Sequence, residues 1–104
     1  MHRLALKMKL HAGKAEEYKR RHDELWDDVK QLLKDSTVSD YSIFLDEETN
    51  MLFATLKVED LEKFAQIPHQ LVIKRWWAYM SDIMETNSDN SPVSMNLKDV
   101  FYLA

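Results

Sequence analysis

Cysteine is absent from the 104-residue sequence, and glycine occurs only once, as Gly13. Without cysteine the chain can form no disulfide, no thiol nucleophile and no thiolate metal site. A loop that cradles phosphate groups needs several glycines so that the backbone can approach them closely, and one glycine is too few. Thiol chemistry and glycine-rich phosphate binding are therefore excluded.

Positive charge and long apolar runs are also scarce. Lys and Arg together number 14 against 18 Asp and Glu, which gives a net charge of −4. Nucleic-acid binding needs a positive surface, so we expect no nucleic-acid partner. No apolar run approaches the ~20 residues that cross a bilayer, and no charged-then-apolar leader is present, so we expect no membrane partner and a cytoplasmic location. The length predicts a single domain over residues 1–104.

Alternation of apolar and polar residues predicts four strands. The first covers residues 3–10, and the last covers Leu97–Leu103. Val38–Leu45 and Met51–Val58 alternate in the same way and are separated by the charged turn Asp46–Asn50, a pattern that predicts a β-hairpin.

Apolar residues repeat with a helical period of 3.6 in three segments. One long helix is predicted from about Lys14 to Lys34, a short one over Glu59–Gln66, and a second long one from about His69 to Met84. The resulting order, β-α-β-β-α-β, is typical of a ferredoxin-like α+β sandwich, in which both long helices cover one face of an antiparallel sheet.

The other face of that sheet carries more apolar surface than a solvated face should, including Phe44, Phe53 and Phe101. A second copy of the chain packed sheet against sheet would cover it, and so would an apolar ligand between two sheets. We favour the homodimer.

Two aromatic groupings are candidates for a binding site. Tyr18 and His22 are four residues apart, so they lie one above the other on a helix face and can form a pocket wall. Trp76 and Trp77 point about 100° apart on their helix, so one of them can wall a cleft while the other packs in the core. Ordinary packing at a core boundary explains either grouping equally well.

Other kinds of site find less support. The four histidines, His2, His11, His22 and His69, share no spacing typical of metal ligands, and we expect neither a metal nor a cofactor. No glycine elbow surrounds a serine. The loop Asn87–Ser91 is rich in short hydrogen-bonding side chains, as a polyol site or any turn would be.

Five segments together resemble the L-rhamnose mutarotase family over nearly the whole chain: Glu17–His22, Asp40–Asp46, Arg75–Met80, Asn90–Ser94 and Val100–Leu103. The resemblance implies a homodimeric α/β barrel that interconverts the α and β anomers of L-rhamnose without a cofactor. It also implies that His22 is the proton donor and that Tyr18, Tyr41, Trp76 and Trp77 bind the sugar.

Mutarotation needs little machinery, because only protons move while the hemiacetal ring opens and closes. An imidazole with a pKa near ~6.5 suits this task. Our hypothesis is that His22 protonates the ring oxygen while Tyr18 or Tyr41 holds a hydroxyl group, with the counterpart base unassigned. Two alternatives are a small ferredoxin-like monooxygenase and a non-catalytic sugar-binding dimer, since this fold has many functions. The polar loop near the indoles favours a sugar.

Overall fold

A four-stranded antiparallel sheet organises the chain. In this computed structural model, which describes all 104 residues, the strands are β1 (His2–Lys9), β2 (Val38–Asp46), β3 (Met51–Val58) and β4 (Ser94–Asn96). They lie in the order β2-β3-β1-β4, and every neighbouring pair is antiparallel. The predicted ferredoxin-like arrangement is therefore confirmed.

The two faces of the sheet differ sharply along β3. Leu52, Ala54, Leu56 and Val58 are buried, whereas Phe53 between them is exposed. The buried face belongs to a core of 15 hydrophobic residues to which the helices also contribute. Alternation along the strand thus separates a face covered by helices from an open face.

The first helical segment is two helices, α1 (Ala15–Asp23) and α2 (Asp27–Asp35), so the prediction of one helix over Lys14–Lys34 was wrong. A continuous helix would place Asp23 beside Asp27 and Glu24 beside Asp28, both at the i,i+4 spacing where like charges repel. Trp26 instead adopts an extended conformation, with φ −59° and ψ 138°, which lets Asp27 and Asp28 begin α2. Acidic residues are favourable there because the N-terminus of a helix carries partial positive charge.

The second helical segment is also divided. The helix α3 (Leu61–Ala65) begins after Asp60, whose side chain accepts hydrogen bonds from two backbone N–H groups of its first turn. A short 3-10 turn containing Pro68 follows, and α4 (Leu71–Met80) is shorter than the predicted His69–Met84. None of the helices is long and apolar enough to cross a membrane.

The final strand lies earlier in the chain than predicted. Strand β4 is Ser94–Asn96, and Leu97–Leu103 has no regular structure, so the prediction of a strand there was wrong. The Asp99 side chain accepts a hydrogen bond from the backbone N–H of Phe101 at 3.1 Å, a local bond of the kind that forms turns. The Arg3 guanidinium lies over the ring of Tyr102, so the segment passes close to β1.

Candidate active site

A cleft of about 730 Å³ lies between the covered face of the sheet and the helices, a volume typical of small-molecule sites. All five site residues predicted from the sequence line it: Tyr18, His22, Tyr41, Trp76 and Trp77. Most of the remaining wall is aliphatic, from residues such as Ile43, Leu52, Ile73 and Met80, and polar side chains including Glu16, Asp23, Glu47 and Asn90 also contribute. The fold thus gathers side chains from distant parts of the chain around one space.

Helix α1 supplies a stacked pair of rings. Tyr18 and His22 have ring centroids 4.3 Å apart and planes inclined by 29°, as expected for residues one helical turn apart. On its other side His22 meets Trp76 of α4 edge to face, at a centroid distance of 5.4 Å. The imidazole is therefore held between two aromatic neighbours.

A backbone hydrogen bond decides which ring nitrogen of neutral His22 carries the proton. Nδ1 lies 3.0 Å from the carbonyl oxygen of Tyr18. A carbonyl can only accept, so Nδ1 bears the hydrogen and Nε2 of the neutral ring has a free lone pair. Nε2 makes no hydrogen bond within the chain. Every fully buried side-chain nitrogen or oxygen does have a hydrogen-bond partner, so Nε2 is not fully buried and reaches the cleft surface.

The surroundings keep these groups uncharged near neutral pH. Burial lowers the pKa of His22, and the bond to the Tyr18 carbonyl and the nearby Asp23 carboxylate oppose this only in part. Burial raises the pKa of Tyr18, and a smaller contribution comes from Tyr41. The two phenols are thus available as neutral hydrogen-bond donors and Nε2 as an acceptor.

Tyr41 lines the cleft on the same strand face as Ile43 and Leu45, and strand β2 is irregular just before it. The pairing with β3 shifts between Ser39 and Ser42, and Asp40 has a positive φ of 47°, so Asp40 and Tyr41 together occupy the place of one residue. Although Tyr41 is 43% exposed as a whole residue, protein atoms around its phenol in the cleft raise its pKa.

The two adjacent indoles divide between core and cleft, and both reach the cleft wall. Trp76 is only 6% exposed and packs edge to face against Trp26, with centroids 5.1 Å apart. Trp77 is half-buried and lines the same cleft. Trp76 is thus fixed by the core, while Trp77 retains accessible surface.

The polar loop Asn87–Ser91 contributes less than its composition indicates. Asn87 donates to the Ser91 hydroxyl at 3.0 Å, and Asp89 accepts from the Ser91 backbone N–H at the same distance, so these side chains stabilise the loop itself. Asn90 alone among the loop residues lines the cleft. Glu16, Asp23 and Glu47 also line the cleft, although their sequence context resembles a solvated surface.

Comparisons with known proteins agree on one family. The family model described as L-rhamnose mutarotase matches residues 3–103. Proteins named L-rhamnose mutarotase from Formosa agariphila and Lachnoclostridium phytofermentans are 54% and 52% identical to the chain, and each match covers 99% of both sequences. A crystal structure of an L-rhamnose mutarotase from Formosa agariphila superposes with a TM-score of 0.94, at 53% identity and full coverage of both chains.

Proposed function

Because the chain belongs to the L-rhamnose mutarotase family, we propose that it is an isomerase that interconverts the α and β anomers of L-rhamnose. The structural observation that carries the proposal is the convergence of an imidazole acceptor, two neutral phenols and two indoles on one cleft. This membership favours a mutarotase over the monooxygenase and the non-catalytic binding dimer that the sequence left open.

In the proposed reaction His22 moves one proton between two oxygens of the sugar. Nε2 takes the proton from the anomeric hydroxyl, the C1–O1 bond becomes a carbonyl, and the ring C1–O5 bond breaks with its electron pair on O5. The imidazolium then returns the proton to O5. Since O1 and O5 are bonded to the same carbon, a single nitrogen can serve both atoms, and no separate base is required.

The remaining site residues would bind the open and closed forms of the sugar. The hydroxyl of Tyr18 makes no hydrogen bond within the chain. Since every fully buried polar side-chain atom has a partner, this hydroxyl must be accessible, and it is free to donate to a sugar oxygen. Tyr41 would do the same from the opposite wall of the cleft. The apolar C–H faces of a pyranose suit the indoles of Trp76 and Trp77. Rotation about C1–C2 between opening and reclosure gives the other anomer.

NMR exchange between the α and β anomers of L-rhamnose, with and without catalytic amounts of protein, tests the proposal directly. We expect acceleration for L-rhamnose and much less for L-fucose, D-ribose and D-glucose. If the folded protein accelerates anomer exchange for none of these sugars, the assigned reaction is contradicted. A cytoplasmic location stays a prediction, which fractionation of cells that produce the protein would test.

The proposal includes a homodimer packed through the open face of the sheet, which gives the predicted dimeric α/β barrel. Phe44 and Phe53 pair across β2 and β3 on that face, and Met95 follows on β4. These side chains are 67%, 37% and 59% exposed, and Lys7 of β1 lies between Phe53 and Met95 in the same row. A second copy would remove this surface from water.

Residues 1–104 form a single domain in this proposal, which is supported by the presence of one sheet and one core.

A charged substitution tests the dimer. Phe44→Asp would bury a carboxylate between the sheets, so sedimentation equilibrium should report a monomer where the unaltered protein is a dimer. Leu71→Asp is the matched control, because Leu71 is similarly exposed, at 62%, but lies at the start of α4. An unaltered protein that sediments as a monomer would contradict the dimer, and so would a Phe44→Asp protein that remains dimeric.

A further inference from the structure

We propose that Arg21 is a positioning residue for the reaction proposed above: its guanidinium ties α1 to the end of α4 and thereby holds His22 against Trp76. The inference rests on the proposed function, because it assigns a role to Arg21 through the residue that moves the proton. Arg21 itself does not line the cleft.

Every nitrogen of the Arg21 guanidinium is hydrogen-bonded. On its own helix, Nε donates to Glu17 at 2.6 Å. Across the gap to α4, Nη1 donates to the backbone carbonyl of Tyr79 at 2.6 Å and to one carboxylate oxygen of Asp82 at 2.8 Å, and Nη2 donates to the other oxygen at 3.2 Å. One planar group therefore fixes the separation of two elements.

The carbonyl of Tyr79 is one of the last in α4, where helical carbonyls run out of backbone partners. A cation at this end of a helix is favourable, because the C-terminus carries partial negative charge. Arg21 thus completes the hydrogen bonding of α4 with a side chain from α1. The Arg21 side chain is 9% exposed, so the guanidinium itself is shielded from water, whereas its partner Asp82 is 67% exposed.

Aromatic contacts connect this link to the cleft. The Arg21 guanidinium lies 4.3 Å from the ring centre of Tyr79, and Tyr79 stacks on Trp26 with centroids 5.2 Å apart. Trp26 and Tyr79 both contact Trp76, the residue whose edge faces His22. A movement of the guanidinium would change the packing of the ring against which His22 rests.

The neighbouring Arg20 shows what an ordinary surface arginine does here. It also donates to Glu17, and it bonds Glu24, but both partners are on or beside its own helix and its side chain is 52% exposed. Arg20 interacts with α4 only through the Tyr79 side chain and makes no hydrogen bond to the α4 backbone or to Asp82. It is therefore a matched control with the same charge, the same helix and a shared carboxylate partner.

The test compares Arg21→Met, Arg21→Lys and Arg20→Met in the anomer-exchange assay. Misplacement of a reacting group by about 1 Å costs roughly 10²-fold in rate, so we expect Arg21→Met to lower kcat by ~10- to 100-fold with a smaller effect on KM. Arg21→Lys should recover only part of the rate, because an ammonium cannot reproduce the planar fork. Arg20→Met should retain the unaltered kcat.

A second readout separates positioning from stability alone. NMR titration of the His22 ring should show its pKa moving upward, toward that of a solvated histidine, in Arg21→Met but not in Arg20→Met. A folded Arg21→Met protein with unaltered kcat and unaltered His22 titration would overturn the proposal. If that variant does not fold, Asp82→Asn decides, because it weakens the link while keeping Arg21, and unaltered kcat and titration there would overturn it equally.

The two proposals fail separately. Absence of anomer exchange in the unaltered protein would contradict the proposed function. The His22 titration would still report whether Arg21 controls the surroundings of the imidazole.

Discussion

Replacement of His22 by asparagine tests the proton-transfer assignment most sharply. The side-chain amide of asparagine carries an N–H close to the position of Nδ1, so it can still donate to the Tyr18 carbonyl that His22 bonds at 3.0 Å. The variant loses Nε2, the atom assigned to the anomeric proton. Proton transfer by a positioned side chain contributes ~10²- to 10⁴-fold, so kcat should fall by that factor. At ~1.4 kcal/mol for each factor of ten, this equals about 3 to 6 kcal/mol of barrier.

Stability should change far less than activity. His22→Asn removes the stacked contact with Tyr18 and the edge contact with Trp76, and each aromatic pair is worth ~0.5–1.5 kcal/mol. A loss of about 1 to 3 kcal/mol in the free energy of unfolding follows, measurable by urea denaturation. His69→Asn is the control, because His69 is exposed and does not line the cleft.

The same assignment fixes the direction of the pH dependence. Because burial lowers the pKa of His22, the ring should stay neutral and active below the ordinary value of ~6.5. Below its folded pKa the rate should fall about tenfold per pH unit, since protonated Nε2 cannot accept a proton. The fold should also lose stability as pH falls from ~6.5 toward the folded pKa, because the unfolded chain takes up the proton first, and below the folded pKa this loss is complete.

Exchange rates would be measured by NMR at saturating L-rhamnose from pH 4.5 to 8, after subtraction of the buffer-catalysed rate. A folded His22→Asn protein that keeps kcat within tenfold of the unaltered protein at pH 7 would refute the assignment. So would an acid limb of the same midpoint in both proteins, because that limb must then belong to another group.

Three further outcomes are expected. Tyr18→Phe removes only a hydroxyl that has no partner in the chain, so the ring stack and the stability should be kept while KM rises about tenfold. An unaltered KM would show that Tyr18 does not bind the sugar. L-Mannose carries a hydroxymethyl group where L-rhamnose carries the C6 methyl group. It should show a ~10- to 100-fold lower kcat/KM, because the largely aliphatic cleft offers the added hydroxyl few partners, and equal values would contradict this. Gly13→Ala should lower the free energy of unfolding by about 1 kcal/mol, because Gly13 has a φ of +77° that a residue with a side chain adopts only with strain. An added Cβ meets no neighbour, so kcat should not change, and an unchanged urea midpoint would refute the prediction.

The first three strands were predictable because their signal is local, whereas the last strand was predicted in the wrong segment. Alternation over Met51–Val58 records directly which residues face the core, and the charged turn before it contains Asn50, which has the positive φ that such turns require. The break at Trp26 was not predicted, because the helical period of apolar residues continues across it. Repulsion between Asp23 and Asp27 was present in the sequence, but its effect depends on whether packing of Trp26 compensates for the lost helical hydrogen bonds.

The site was predictable where one element supplies it. The spacing of Tyr18 and His22 fixes their stacking on α1 without any tertiary information. Alternation places Tyr41 on the same face of β2 as Ile43 and Leu45, which also line the cleft, but its assignment to sugar binding came from family resemblance. Arg21 and Arg20 are identical neighbours in a charged run, and only the end of α4 distinguishes them.

The hydrogen bond from His22 to the main chain has an evolutionary consequence. The carbonyl at position 18 belongs to the backbone of α1, so it is present whatever side chain position 18 carries. The side chain there can change, and with it the contact to a sugar, while the backbone bond that places the proton of the neutral imidazole on Nδ1 is kept. Substrate preference can therefore change among relatives that keep this helix without changing which ring nitrogen carries the proton.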